Sequence, residues 1–501
     1  MASLTYTPKG AIPTIVSKLR ENFDTGITKN IAFRKEQLGN LVRCLEENGS
    51  EFEEALWKDL RKHKMECGIG EISPIIDECK YMIKNLDRLS KPTHTSKRFM
   101  MNSMDKTYIR KEAKGVVLVI GAWNYPVNLL LLPAVGAIAA GNCVVFKPSE
   151  VAAHTAAAMA RLLPKYLDER AYSVINGGVV ETTELLEQRL DHIFYTGNGM
   201  VGRIVMTAAA KHLTPVTLEL GGKSPAIVAP DADLEVAANR LVFGKFFNNG
   251  QTCVAPDYVL VEKNRAGPLL AACKNAIVQF YGEDAQKSES YGRIVSTRQF
   301  DRLKALLDGC DPASILAGGQ TDRDDLFIAP TLVSPVTIDA DLMQQEIFGP
   351  ILPVVTVENM DEAIQIVKSK DHPLAMYIFS NSANIYNNIL DNTNSGGVLV
   401  NDTLMHLQEL SLPFGGVGPS GTGAYHGDKS FDTFTHERST MVKSAGLESI
   451  ISVRYPPYNA DKYTLITLLV TGLPKTVGAK VKTLANAIAA SKNVLFAKKE
   501  V

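Results

Sequence analysis

The chain has 501 residues, of which 45% are hydrophobic and 21% charged, an ordinary balance for a water-soluble globular protein. At roughly 150 residues per domain this length carries two to four domains with sizeable cores. Fifty-three Lys and Arg against 54 Asp and Glu give a net charge of −1, which excludes a reading built on a basic footprint for nucleic acid. Seven cysteines, at 44, 67, 79, 143, 253, 273 and 310, are scattered, odd in number and without a CxxC pair. They argue against a disulfide scaffold or a zinc site and favour a reducing compartment. The segment 1–18 has neither a long apolar run nor a small-residue cleavage site, so no secretory signal is expected.

From Ile12 to about Leu86, apolar residues recur three or four apart among charges, which predicts helices. Around Ser90–Asn102 the chain turns polar and irregular and reads as a connection. Short apolar runs come next at Val116–Ile120, Cys143–Phe146, Ser173–Asn176 and Asp191–Thr196, with helical stretches between most of them. Buried strands alternating with helices predict a parallel α/β sheet. The alternation restarts after Leu220, with Ala226–Ala229, Asp257–Glu262, Leu352–Val357 and Ala375–Phe379. Two successive α/β halves suggest two lobes, with chemistry beyond the carboxyl ends of the strands.

The tail differs. Tyr463–Leu473 is apolar for 11 residues before Pro474 and Lys475 stop it, whereas a bilayer-spanning helix needs about 20. From Thr476 on, Val477, Val481, Leu484, Ile488 and Leu495 fall on one helical face among Lys480, Lys482 and Lys492. Such a stripe suits an interfacial helix on a membrane, and equally a helix packed on its own protein or on a partner.

Several segments carry chemistry. In Phe246-Phe-Asn-Asn-Gly-Gln-Thr-Cys-Val-Ala-Pro256, small polar residues surround one cysteine, as in a turn that presents a thiolate nucleophile. Cys44, Cys79, Cys143, Cys273 and Cys310 read instead as inert buried thiols. Glu219-Leu-Gly-Gly-Lys-Ser-Pro225 sets a carboxylate before a flexible glycine pair, as a general base or as a plain surface or capping glutamate. Asn124, in Gly121-Ala-Trp-Asn-Tyr-Pro126, can offer an amide N–H to an oxyanion or simply make a turn. Gly197-Asn-Gly-Met-Val-Gly202 spells GxGxxG after a strand, suited to a phosphate at a helix start, yet it stands about 80 residues beyond the first strand of the sheet, unlike an ordinary Rossmann fingerprint. Lys147 and Glu150, in Phe146-Lys-Pro-Ser-Glu150, can bind ribose hydroxyls or decorate a solvated turn.

These motifs together, with Glu346-Ile-Phe-Gly-Pro350, resemble the aldehyde dehydrogenase superfamily, in its order and with its 34-position spacing of Glu219 and Cys253. Tyr195-Thr-Gly-Asn198, Pro413-Phe-Gly-Gly-Val-Gly418, Ala424-Tyr-His-Gly427 and Ser430-Phe-Asp-Thr-Phe434 look like its class 3 branch, which includes the fatty aldehyde dehydrogenases; so does Arg454-Tyr-Pro-Pro-Tyr458 before an apolar tail. Gly199 and Met200 depart from the hydroxyl residue and Ala common there. The resemblance spans residues 10–460 and implies an α/β fold of two parallel-sheet lobes. A Rossmann-like NAD-binding lobe is expected at 1–91 and 114–219, and a catalytic lobe at 220–408. A small β bridging or oligomerisation element is expected at 92–113 and 409–440, and a tail at 441–501 that lies over the substrate entrance, on a partner or on a membrane.

It further implies Cys253 as nucleophile, Asn124 and the Cys253 amide as oxyanion donors, and Glu219 as the base that activates water. Lys147 and Glu150 would meet the adenosine ribose, Gly197, Asn198 and Gly202 the phosphates, and Glu346 and Phe348 the nicotinamide ribose and ring. Tyr125 and His426 are candidates for the substrate funnel, and no metal is expected. The cofactor implied is NAD, with NADP as the alternative. The activity implied is oxidation of medium- or long-chain apolar aldehydes, fatty, isoprenoid or polyene, by a homodimer. The final Lys498-Lys-Glu-Val501 looks like a dilysine retrieval signal, which points to the cytoplasmic side of the endoplasmic reticulum or another intracellular membrane. Two other readings compete: a non-catalytic nucleotide-binding structural protein, and a nucleotide-independent thioester hydrolase.

Overall fold

The computed structural model describes residues 4–446 and 448–496, so Lys498–Val501 and the side chain of Leu495 lie outside the described residues. The helical start divides into Ile12–Asp24, Ile31–Glu47, Gly49–Leu60 and Ser73–Leu89, with a short turn at Lys64–Cys67 and a π-helical turn at Gly68–Ile72. The breaks have local causes. Gly26 takes φ 82°, Asn30 caps the next helix through the Ala32 amide, and Arg61 ends another in the left-handed region.

Beyond these helices the chain builds two sheets. The first has the spatial order Gly421–Thr422, Val216–Glu219, His192–Thr196, Val116–Ile120, Cys143–Lys147, Tyr172–Val174, all parallel except the two-residue Gly421–Thr422 strand. Apart from Gly421–Thr422, the strands run outward from Val116–Ile120 in both directions, so the chain reverses its direction of winding beside that strand. A crevice therefore opens beyond Ile120 and Thr196. The second sheet orders Ile315–Ala317, Thr331–Val333, Ile351–Val357, Tyr258–Glu262, Pro225–Val228, Ala375–Phe379 and Gly397–Val400, antiparallel only at its first pair. Its winding reverses between Pro225–Val228 and Ala375–Phe379. The inner strands are covered on both faces, which is why they read in sequence as unbroken apolar runs rather than alternations. Val216–Glu219 escaped sequence reading because four residues with two polar members carry no periodic signal.

Both sheets belong to one compact unit, Met1–Leu89 with Ala113–Thr435; a second unit comprises Ser90–Glu112 and His436–Val501. The bridging segment expected at 409–440 is therefore divided. Residues 409–435 join the first unit, because Gly421–Thr422 pairs with Val216–Glu219 and the helix Gly427–Thr433 packs on the helix Asn128–Ala140. The three-stranded sheet of Thr93–His94, Lys106–Ala113 and Thr435–Val442 is the small β element. The tail forms helices Ala460–Thr471 and Val477–Phe496, which pack on each other. Ala487 and Ala490 are buried, whereas the stripe Val477, Val481, Leu484 and Ile488 is 43–77% exposed. Among the described residues no helix is long and apolar enough to cross a membrane.

Helix Asn128–Ala140 is apolar all round and almost wholly buried. At Gly136 an added Cβ would stand 2.7 Å from Ser430 Cβ and 2.8 Å from the Ser430 carbonyl oxygen. Alanine raises intrinsic helix stability by about 1 kcal/mol over glycine. Overpacking against backbone that cannot swing aside costs about 1–3 kcal/mol. Gly136→Ala is expected to lower the denaturant midpoint at unchanged m-value; a raised midpoint would show that the two helices can separate freely.

Candidate active site

Cys253 comes after a 3-10 turn, Phe247–Gly250, in which Asn248, Asn249 and Gly250 take φ 52°, 55° and 70°. Asparagine tolerates that left-handed region better than most side chains. Glycine is required at 250, because a Cβ there would stand 2.4 Å from the Gly349 carbonyl oxygen. Gln251 anchors the loop on the cysteine side of this turn. Its side chain donates to the Arg293 carbonyl at 3.0 Å and accepts the Val295 amide at 3.0 Å. Its own carbonyl accepts the Asn124 side-chain amide at 3.0 Å and that of Asn248 at 3.1 Å. Tyr125 Oη and Thr252 Oγ1 share a hydrogen bond of 2.8 Å. The strand end at Ile120 and the cysteine loop thus meet at Asn124–Tyr125, and both residues are buried.

Glu219 ends its strand opposite Thr196 and Gly421, and its carbonyl accepts the Gly197 amide at 3.0 Å. Its carboxylate oxygens are buried without a hydrogen-bond partner, and burial holds the carboxyl well above its usual range. It is therefore neither the surface nor the helix-capping glutamate that the segment also allowed. Burial, then the charges of Glu346 and Glu219, push the Cys253 thiol up to about 12; the amides of Cys253 and Val254 act the other way. Glu346 is raised to about 8, first by burial and then by Asp257, while the Gly222 amide lowers it. Its carboxylate lies against Gly221, where a Cβ would stand 2.2 Å from Oε2. Gly221 thus makes room for Glu346.

The segment bearing Glu346 and Phe348 is tethered by residues that sequence reading missed. Lys223 donates to Asp257 at 2.5 Å and to the Gln345 carbonyl at 3.1 Å, and the Ile347 amide donates to Asp257 at 3.0 Å. Arg302 donates to the Ile347 carbonyl at 2.6 Å. Phe348, at φ 51°, sets its ring edge-on to Trp123 with centroids 5.3 Å apart. Only the lysine of the Gly-Gly-Lys-Ser stretch hinted at this tether.

Beyond the first sheet, Lys147 is buried at its strand end, donating to the Pro148 carbonyl at 2.8 Å and to the half-buried Glu150 at 3.4 Å. Gly197 admits no side chain, since a Cβ would stand 2.2 Å from the Tyr195 hydroxyl. Asn198 accepts the Val201 amide at 3.0 Å and caps the helix Gly199–Ala210. Gly202 is buried, its missing Cβ closest to Leu220, so it allows that helix to seat closely. Nearby, Val179 and Met200 are 81% and 67% exposed, large apolar groups on adjacent helix starts; Met200 stood out in the sequence only as a departure from the family pattern, and Val179 not at all.

A cavity of about 230 Å³ reaches Cys253 and Thr252. Most of its wall is apolar, including Ile69, Leu129, Leu132, Phe243, Phe247 and Phe414. Tyr125 and His426 line it as well. His426, at φ 85°, stacks on Phe414 at 5.4 Å and lies 4.4 Å edge-on from Tyr425. Burial, with nearby His406, lowers it to about 3, so its ring is neutral. The described residues contain no cluster of three metal-ligating side chains.

Comparison with known proteins decides the family. The model of the aldehyde dehydrogenase family matches residues 2–440. This chain is a member of that family. It is 48% identical over 447 residues to aldehyde dehydrogenase family 3 member A2 of Rattus norvegicus, covering 89% of this chain and 92% of the rat protein. It is 47% identical over 447 residues to the dimeric NADP-preferring aldehyde dehydrogenase of the same species, covering 89% and 98%. Among solved structures, the substrate-bound AldH of Staphylococcus aureus superposes with TM-score 0.88 at 43% identity over 91% of this chain and 98% of that one. The aldehyde dehydrogenase of Mycobacterium tuberculosis complexed with NAD+ gives TM-score 0.80 at 26% identity over 88% and 92%. The chain is an NAD(P)-dependent aldehyde dehydrogenase.

The raised Glu219 carboxyl has a consequence for stability. A carboxyl that holds its proton more tightly folded than unfolded contributes stability at low pH, and this is lost as pH rises from its unfolded value through its folded one. Glu219→Gln is therefore expected to melt above the wild type at about pH 8, with the gap closing toward about pH 5. Scanning calorimetry at the two pH values tests this, and a pH-independent difference would contradict it.

Proposed function

We propose that this aldehyde dehydrogenase oxidises medium- and long-chain apolar aldehydes, fatty or isoprenoid and polyene, to carboxylic acids. The observation that carries this reading is the largely apolar cavity that Cys253 lines. A polar head reacts at Cys253, while an alkyl or polyene chain gains about 25 cal/mol per Å² of surface withdrawn from water.

In this reading the Cys253 sulfur adds to the carbonyl carbon, and the carbonyl electron pair moves to oxygen. The Asn124 side-chain amide and the Cys253 backbone N–H hold that oxyanion; one such donor is worth about 3 kcal/mol. Bound NAD(P) supplies the hydride acceptor for the oxidation. Glu219 then takes a proton from water as it attacks the acyl–sulfur bond, releasing the carboxylic acid and the thiol. Cys253 and Glu219 both act deprotonated and both hold their protons tightly, so the rate is expected to rise with pH. Gly197, where a Cβ would meet the Tyr195 hydroxyl, and Asn198 and Gly202 at the start of the following helix suit phosphates. Lys147 and Glu150 serve the adenosine ribose, with Val179 and Met200 flanking the adenine; Glu346 and Phe348 serve the nicotinamide end. The Glu150 carboxylate repels a 2′-phosphate, which favours NAD over NADP.

The protein works as a homodimer in this reading. The half-buried strand Gly397–Val400 stands at the edge of its sheet, open to a second copy, and one relative is named as dimeric. The exposed stripe Val477, Val481, Leu484 and Ile488, with Lys475, Lys480, Lys482 and Lys492 nearby, supports peripheral attachment to the cytoplasmic face of the endoplasmic reticulum or another intracellular membrane.

NADH formation across saturated aldehydes of increasing length, plus one polyene aldehyde, tests the substrate. kcat/KM is expected to rise with chain length, and to vanish in Cys253→Ala without loss of fold. Activity confined to short or aromatic aldehydes would overturn the substrate class, and turnover by Cys253→Ala the mechanism. For the tail, full-length protein is expected to sediment with anionic vesicles while Val481→Glu/Ile488→Glu stays in solution; equal partitioning would exclude attachment through this stripe.

A further inference from the structure

Behind the Asn124 main chain lies a buried ion pair that takes no part in the chemistry of Cys253 and Glu219. Lys62 stands just past the helix Gly49–Leu60, and Glu71 sits in the π-helical turn Gly68–Ile72. Both side chains are 0% exposed, and Nζ stands 2.6 Å from Glu71 Oε1. The same ammonium donates to the Asn124 carbonyl oxygen at 2.9 Å and lies 4.1 Å over the Tyr125 ring. The other Glu71 oxygen accepts the amides of Val127 and Asn128 at 3.1 and 2.9 Å, which otherwise have no acceptor at the start of the helix Asn128–Ala140. The Asn128 side chain donates to the Gly70 carbonyl at 2.9 Å and closes the ring of contacts. Asn248, from the cysteine loop, donates to the same Asn124 carbonyl at 3.0 Å.

Beyond each other, each partner of the pair bonds backbone of the segment 124–128: Lys62 the Asn124 carbonyl, Glu71 the amides of Val127 and Asn128. Apolar side chains would fill such a dry place without the cost of desolvating two charges. A π turn, uncommon in regular helices, is what sets Glu71 at this point of the chain. The Asn124 carbonyl and side-chain amide belong to one residue, so fixing the first restricts where the second can reach. That amide lies 3.0 Å from the Gln251 carbonyl, two residues before Cys253.

We propose that Lys62 and Glu71 are positioning residues for catalysis: their ion pair clamps the Asn124 main chain and thereby holds the side-chain amide where the oxyanion forms. This rests on the reading of Asn124 as oxyanion donor.

The test is steady-state kinetics of Lys62→Met, alone and combined with Asn124→Ala, with folding monitored by circular dichroism. Losing the clamp is expected to cost part of one oxyanion donor, so kcat falls about 10–100-fold. KM for NAD and for aldehyde should stay within about twofold, since the ground-state contacts are kept. In the Asn124→Ala background the same substitution should change kcat by less than about threefold, because the amide it positions is already gone. Should Lys62→Met fail to fold because the Glu71 charge is left alone, Lys62→Met/Glu71→Gln removes both charges of the pair and is expected to give the same kinetics. Full kcat in a folded variant, an equal loss in both backgrounds, or failure of both forms to fold would each overturn the proposal. Full kcat in Asn124→Ala alone would overturn the oxyanion reading itself, and the positioning role with it.

Discussion

The Cys253 loop keeps its shape because segments far apart in sequence bond to a few of its atoms. Gln251 is the centre of this arrangement, with its carbonyl facing Asn124 and Asn248 and its side chain bridging Arg293 and Val295. Gly250 lets the loop run against Gly349, and so against the segment that carries Glu346 and Phe348. Three successive left-handed residues are an unfavourable start to any loop. They persist because the surrounding hydrogen bonds determine the backbone more strongly than local preference does.

That fixing allows the reactive groups to sit dry. Glu219, Cys253 and Glu346 all have ionisations shifted upward, and burial is the largest cause in each case. Three buried acids, with Glu346 and Glu219 raising Cys253 further, are a poor arrangement for stability. Under the proposed mechanism the upward shifts of Cys253 and Glu219 suit groups that lose their protons only as the reaction proceeds. The tethers around Glu346 show how the protein keeps this from spreading. Lys223 and Asp257 bond each other and, with Arg302, bond the backbone of Gln345 and Ile347 on either side of Glu346.

The two sheets supply the frame. Each parallel sheet reverses its winding beside its first long strand, and such a reversal leaves a crevice at the carboxyl ends. Asn124 stands just past one such strand and Gly197 just past its neighbour. Glu219 closes the next strand, before the chain crosses to the second sheet at Pro225–Val228. Gly197, Asn124 and Glu219 thus stand at the ends of neighbouring strands of one sheet, an economical use of one fold direction.

Much of this was legible in the sequence. Unbroken apolar runs between helical stretches named the parallel sheets, because strands covered on both faces have no polar alternation. Glycines fixed by close approach were legible as well: a Cβ at Gly197 or Gly250 would collide with Tyr195 or Gly349. Sequence could not divide the segment 409–440, because a two-residue strand has no pattern and its pairing with Val216–Glu219 is a long-range event. Nor could it show that the tail stripe faces outward while Ala487 and Ala490 pack, since small and large apolar residues alternate around that helix. Above all, the ionisation of Glu219 and the clamp of Lys62 on Asn124 depend on which groups share a water-free space. Motif spacing encodes the identity of reactive residues; their desolvation and their hydrogen-bond partners are decided only when distant segments close around them.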